Sequence, residues 1–220
     1  MKILAFVLGM VGTNCYLVWN EETQAAMLID PAVYDDRIER ELTGRGLKLK
    51  YIVLTHGHGD HIGGVPHFLA LHPSAELAAG AGESAMLADA RANLSREIFG
   101  EELSIKPDVP LRDGDELRLG ELVFHVMETP GHTPGGISLY AADRDPELAG
   151  GAFDGTVFTG DTLFQGSVGR TDLPGGDFET LARSIRTKLY PLPENTLALP
   201  GHMGGTTIGA EKQGNPFVHG

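Results

Sequence analysis

The sequence predicts an α/β protein made of two sheet-and-helix halves facing each other. Short apolar and β-branched runs bounded by Gly, Pro, Asn or Asp recur along all 220 residues. Each half also carries segments with helical apolar spacing. Four of the runs end in a glycine- or proline-fixed loop that presents a histidine or an aspartate. No low-complexity tract, solenoid repeat or linker interrupts the chain, so residues 1–220 read as one domain.

Ile3 to Leu8, Asn14 to Trp19 and Ala26 to Ile29 read as successive strands, with turns at Gly9 to Thr13 and Asn20 to Thr23. The third strand ends at Asp30-Pro31, since proline cannot continue a ladder. Asp30 is either a plain turn former or a carboxylate delivered to a site by a strand end; the sequence leaves both open. Asp35 to Leu42 has helical spacing, with Ile38 and Leu42 at i, i+4 and Gly44 or Gly46 to close it. Tyr51 to Leu54 is a buried strand, and Val65, Phe68, Leu69 and His72 mark a helix broken at Pro73. Glu76 to Ala79 reads as a strand and Glu83 to Ala90 as a helix. Residues 91–110 have no clean period, which fits a binding loop and a plain connector equally.

Asp113-Gly114-Asp115 opens a second sheet. Leu117 and Leu119 alternate with charged residues, Gly120 turns the chain, and Leu122 to Met127 alternates again. His125 lies within that strand and reads as structural, as His67 and His72 read as helix surface. Ile137 to Tyr140 and Thr156 to Thr159 form a strand pair, with the polar segment Ala142 to Gly155 facing solvent between them. Asp177 is the N-cap of a helix to Leu189 whose stripe is Phe178, Leu181, Ile185 and Leu189. Thr196 to Leu199 is the last strand.

The chemistry concentrates in Thr55-His56-Gly57-His58-Gly59-Asp60-His61, directly after the strand at Tyr51 to Leu54. Imidazole nitrogen and carboxylate oxygen are ligands that zinc, iron and manganese accept. His132 follows the strand ending at Met127, Asp161 the strand ending at Thr159, and His202 the strand ending at Leu199. Such placement gathers side chains at one rim of a rigid scaffold. Together these are seven candidate ligands, too many for one tetrahedral ion but suited to two ions sharing one ligand. Asp161, with two oxygens, is the natural shared ligand.

Thirty acidic and seventeen basic residues give a formal charge of −13. That balance argues against a nucleic-acid partner, which needs a basic patch. No stretch reaches the length of a membrane span and the N-terminal apolar run lacks a cleavage pattern, so no membrane role is expected. Cys15 is the one cysteine; it excludes an intrachain disulfide, fits a cytoplasmic location, and in a strand-like run reads as buried filler.

With these motifs assembled, the chain resembles the metallo-β-lactamase-fold hydrolases, whose pattern is His-x-His-x-Asp-His followed by a single His, Asp and His. Thr13-Asn14-x-Tyr16-Leu17 and Leu28-Ile29-Asp30-Pro31 extend the likeness toward the start. Gly160-Asp161-Thr162-Leu163-Phe164, Gly169-Arg170-Thr171-Asp172, Thr206-Thr207-Ile208-Gly209 and Asn215-Pro216-Phe217 resemble the short glyoxalase II-like branch. The resemblance implies a four-layer αββα fold, two mixed sheets flanked by helices. It implies two divalent metal ions, zinc foremost with iron or manganese as alternatives. One would take His56, His58 and His132; the other would take Asp60, His61 and His202; Asp161 would bridge them. It further implies hydrolysis of a small-molecule thioester such as S-lactoylglutathione by a hydroxide held between the ions, oriented by Asp60.

The chain departs from the longer glyoxalase II enzymes at three points. It stops before their added C-terminal helical region could form. Their lysine-phenylalanine-tyrosine stretch is here Arg170-Thr171-Asp172, and Gly204 stands where they carry another tyrosine. Arg170 either binds a substrate carboxylate or pairs with Asp172 or a neighbouring acid. Two other activities share the scaffold. A persulfide dioxygenase would use a single iron on His56, His132 and Asp161, and a lactonase would attack an ester with the same nucleophile.

Overall fold

A computed structural model describes residues 1–148 and 153–220. Two six-stranded sheets carry the fold. The first runs in sequence order through β1 (Lys2–Leu8), β2 (Thr13–Trp19), β3 (Ala25–Ile29), β4 (Lys48–Leu54), β5 (Glu76–Gly80) and β6 (Val109–Leu111). The second begins with β7 (Glu116–Leu119), β8 (Leu122–Glu128), β9 (Ile137–Ala141) and β10 (Thr156–Gly160). It continues through β13 (Leu197–Pro200) to β14 (Thr206–Thr207), while β11 (Leu163–Phe164) and β12 (Ser167–Val168) form a separate hairpin. Both sheets are mixed: β3, β4, β5 and β6 pair in parallel, as do β10 and β13, and the other pairs are antiparallel.

Alternation along the strands builds the layers. One face of the first sheet (Tyr16, Val18, Met27, Ile29, Val53) packs on Leu117, Phe124, Val126, Leu139 and Phe158 of the second, making the central core. The other face of the first sheet packs on α1 (Asp36–Gly44) through Ile38 and Leu42, and on α3 (Val65–Leu71) through Val65 and Phe68. The far face of the second sheet is covered by α6 (Phe178–Ser184) and α7 (Ile208–Gly214) through Leu181 and Ile208. The order of layers is therefore α, β, β, α, as the resemblance implies.

Helix starts follow local chemistry. Asp35, Asp177 and Thr207 each accept a backbone N–H of the first turn of α1, α6 and α7. The helix expected from Glu83 to Ala90 is shorter: a 3-10 turn at Ala81–Glu83 precedes α4 (Ser84–Ala88). The helix expected up to Leu189 becomes a π turn over Ile185–Leu189, where Tyr190 N–H donates to Ile185 O at 2.9 Å. Residues 91–110 are more ordered than their composition suggests. Asn93 and Ser95 are buried, Asn93 Nδ2 donates to Leu103 O at 2.9 Å, and α5 (Ser95–Phe99) packs on α2 (Gly59–Ile62). Residues 149–152, within the segment expected to face solvent, lie outside the described residues. Asp145 in the same segment is buried instead, accepting Ile3 N–H at 2.9 Å. Among the described residues no helix is long and apolar enough to cross a membrane.

Candidate metal centre

Four strand ends converge at one rim of the two sheets. β4 runs into the loop and short helix that carry His56, His58, Asp60 and His61; β8 leads to His132, β10 to Asp161 and β13 to His202. His56, His58 and His132 form one cluster whose ligand atoms all lie within 4.8 Å of one another, and Asp60, His61 and His202 form a second. Asp161 stands between them. Its Oδ2 lies 3.6 Å from His132 Nε2 and 3.5 Å from His202 Nε2, and its Oδ1 lies 3.4 Å from His61 Nε2. All seven residues singled out in the sequence as candidate ligands are thus brought together.

The outward nitrogens of two rings are already engaged, which aims the inward ones. His132 Nδ1 donates to Arg170 O at 2.7 Å, and His61 Nδ1 donates to Asp30 Oδ2 at 2.9 Å. Each Nε2 is then turned toward the centre. His58 Nδ1 and His132 Nε2 lie only 2.9 Å apart. His56 Nε2, His58 Nε2 and Asp161 Oδ1 are buried without a hydrogen-bond partner. Buried polar atoms are normally satisfied, so crowded nitrogen lone pairs beside an orphaned carboxylate oxygen fit cations. The donor set of imidazole and carboxylate suits zinc, iron or manganese.

Asp30 resolves the choice left open by its sequence. It has φ 51° and so turns the chain, yet its carboxylate also serves the site. Oδ1 accepts Thr55 N–H at 2.8 Å, and Oδ2 accepts the Thr55 hydroxyl at 2.6 Å as well as His61 Nδ1–H. Asp30, His56 and His61 are also close enough to share an ion, but those bonds occupy both Asp30 oxygens. Asp30 orients His61.

The sequence marks Glu83 only as the start of a helix, and the structure gives it a larger role. Fully buried, it accepts Gly57 N–H on Oε2 at 2.7 Å and Gly135 N–H on Oε1 at 2.6 Å. One carboxylate therefore ties the loop bearing His56 and His58 to the loop bearing His132. The signal was present: Glu83 follows a strand and a glycine, as the other site residues do.

The terminal motifs brace the remaining ligand loops. Asn14 Nδ2 donates to Pro200 O and Met203 O, each at 2.9 Å, and the Tyr16 hydroxyl donates to Pro200 O at 2.7 Å, holding the loop that carries His202. A Cβ on Gly201 would collide with Asp161 Oδ1 and with His61 Cε1, so only glycine lets that loop approach. Near the other end, buried Glu211 accepts Gly166 N–H at 2.9 Å and the Thr206 hydroxyl at 2.7 Å. Asn215 Nδ2 donates to Ser167 O at 3.0 Å. These bonds fix the β11–β12 hairpin, whose Phe164, Ser167 and Val168 line a cleft of about 670 Å³ above the ligand cluster.

Burial first, then repulsion among the imidazoles, lowers His56 far below its ordinary value and His58 to about 3. Burial likewise lowers His132, against the pull of Asp161. These three are neutral at pH 7, as ligands must be. His61 goes the other way: burial opposes its charge, but Asp161, Asp30 and Asp60 outweigh it and raise it to about 10. For Asp60 burial works upward, but the bond with His202 and the charge of His61 hold it below the usual carboxylate range. Arg170 reaches the cleft rim, where its Nε and Nη2 donate to the two Asp172 oxygens at 2.7 Å each.

The fold and the ligand cluster define a metallo-hydrolase scaffold, and the chain belongs to the metallo-beta-lactamase superfamily, whose family model matches residues 8–202. Among its relatives is the hydroxyacylglutathione hydrolase GloC of Haemophilus influenzae, 38% identical and aligned over 94% of this chain and 92% of its own length. The crystal structure of BLEG-1, a B3 metallo-beta-lactamase, superposes with a TM-score of 0.85 at 36% identity, covering 100% of both chains. TTHA1623, solved in a di-iron-bound form, gives a TM-score of 0.79 at 34% identity over 98% of this chain and 100% of its own.

Proposed function

We propose that the chain is a metal-dependent thioester hydrolase of the hydroxyacylglutathione type, acting on a small-molecule substrate. The observation that carries this reading is the pair of clusters, His56–His58–His132 and Asp60–His61–His202, meeting at Asp161 beneath an open cleft. The relative named hydroxyacylglutathione hydrolase supports the choice of substrate. In this reading His56, His58 and His132 would hold one divalent ion and Asp60, His61 and His202 a second, with Asp161 available to both, and zinc foremost with iron or manganese as alternatives. The bound ions supply Lewis acidity and make water nucleophilic near pH 7.

The chain's own residues then carry the following roles. Asp60 is ionised at neutral pH and held by the Thr13 hydroxyl at 3.4 Å and His202 Nε2 at 3.3 Å. It faces the cleft, where it orients water and accepts its proton. Asp30 and the Arg170 carbonyl fix the His61 and His132 rings, so the ligands need little rearrangement. The substrate's thiol leaves as thiolate and needs no dedicated acid, because an ordinary thiol titrates at about 8.5. The Arg170 guanidinium at the rim meets the thiol carrier.

Thiol release from S-lactoylglutathione, run with and without a chelator, tests the proposal. Release above the buffer background that a chelator abolishes is the expected result. Absence of release, with oxygen uptake on glutathione persulfide, would replace it by the single-iron dioxygenase reading. Lactone hydrolysis without thiol release would replace it by the lactonase.

A further inference from the structure

The cleft has a side branch that the reaction at the metal centre does not use. A second pocket of about 150 Å³ opens beside Asp60, between Met10 and Val11 of the β1–β2 turn and Ile98 and Phe99 of α5, with Val33 also on its wall. It shares Val11, Asp60 and Ile98 with the main cleft, so the two adjoin at the carboxylate that orients water. Apart from Asp60 and Thr13, every side chain lining it is apolar. Met10 and Val11 at its lip are 94% and 56% exposed, apolar surface that a ligand would cover.

The main cleft contrasts with this branch in size and polarity. It is several times larger, and among the described residues Arg170 is the one lysine or arginine lining either space. That guanidinium is already paired with Asp172. A small apolar pocket and a wide adjoining cleft with a polar rim suit the two ends of a thioester differently. Resting on the thioester reading above, we propose that the side pocket is a subsite for an apolar, uncharged acyl chain. The bulkier thiol carrier lies in the main cleft toward Arg170. Among the thioesters the site accepts, lengthening the acyl chain with apolar groups then favours turnover, and a charged acyl chain disfavours it.

The test is a series of acetyl, propionyl, butyryl and hexanoyl thioesters on one uncharged thiol, N-acetylcysteamine, with S-lactoylglutathione alongside and a chelator control. Each methylene buried should raise kcat/KM by about fourfold until the pocket is full. Val11→Asp, at an exposed turn position where a charge leaves the core untouched, should flatten that slope. A flat or falling series in a protein that does release thiol from these esters overturns the subsite while leaving thioester hydrolysis standing. A rising series that Val11→Asp leaves unchanged also overturns it. Failure to release thiol from any member, S-lactoylglutathione included, overturns both.

Discussion

Asp30 Oδ2 lies 2.9 Å from His61 Nδ1, so a buried carboxylate holds the ring whose other nitrogen faces Asp60, Asp161 and His202. Partners of this kind fix the tautomer of a metal-binding imidazole and raise its basicity. Asp30→Asn keeps the shape and tolerates the left-handed backbone but removes the charge. Zinc affinity at the second cluster should fall about 10–100-fold, read by chelator competition, with the circular dichroism spectrum unchanged. Equal affinity in the variant would reduce Asp30 to a turn residue.

Glu83 gives a parallel expectation for the first cluster. Glu83→Ala strands the N–H groups of Gly57 and Gly135 in the interior, at a cost of about 1–3 kcal/mol each. Thermal melting should show the loss, and metal analysis should show His56–His58–His132 emptied before the other cluster. Glu83→Gln retains one acceptor and should recover part of both.

Asn215 links the C-terminal segment to the cleft wall. Its Nδ2 serves Ser167 O and Glu211, and its Oδ1 accepts Phe217 N–H at 3.0 Å and Val218 N–H at 3.3 Å. Asn215→Ala should destabilise by about 2–3 kcal/mol in denaturant melts, as a buried network loses one member. Because the β11–β12 hairpin loosens with it, KM should rise more than kcat falls.

The metal-free protein should be most stable near the ordinary imidazole value of about 6.5. His58 is lowered to about 3 and His56 far down, so below that value the unfolded chain binds more protons and stability falls with pH. His61, raised to about 10, contributes stability that is fully present below about 6.5 and lost as pH rises toward 10. Melts of the metal-free protein across pH 4–10 check both limbs. A midpoint that climbs steadily through pH 8 would contradict the His61 assignment.

The ligands were legible because each follows a strand and sits in a glycine- or proline-rich loop, so local pattern alone located them. Their supports were not, since those depend on contacts between segments far apart in sequence. Glu83 bonds to Gly57 and Gly135, and only the packing of two loops shows it. α5 and α7 were missed because they are short and polar; α5 is held by the Ser95 hydroxyl, which accepts Leu103 N–H, and by packing on α2, α7 by its Thr207 cap and Ile208. The strands over Leu117 to Leu119 and Leu122 to Met127 announced themselves through alternation and the others, such as Tyr51 to Leu54, as apolar runs closed by turn residues, whereas the short β6, β11, β12 and β14 carried neither signal.

The most direct test of the central claim is a zinc titration of metal-free protein, followed by thiol release from S-lactoylglutathione. Two clusters sharing Asp161 predict that activity rises until two equivalents are bound, and that His132→Ala and Asp161→Ala stay folded but inactive. Full activity at one equivalent, or in the metal-free protein, would contradict the two-ion site.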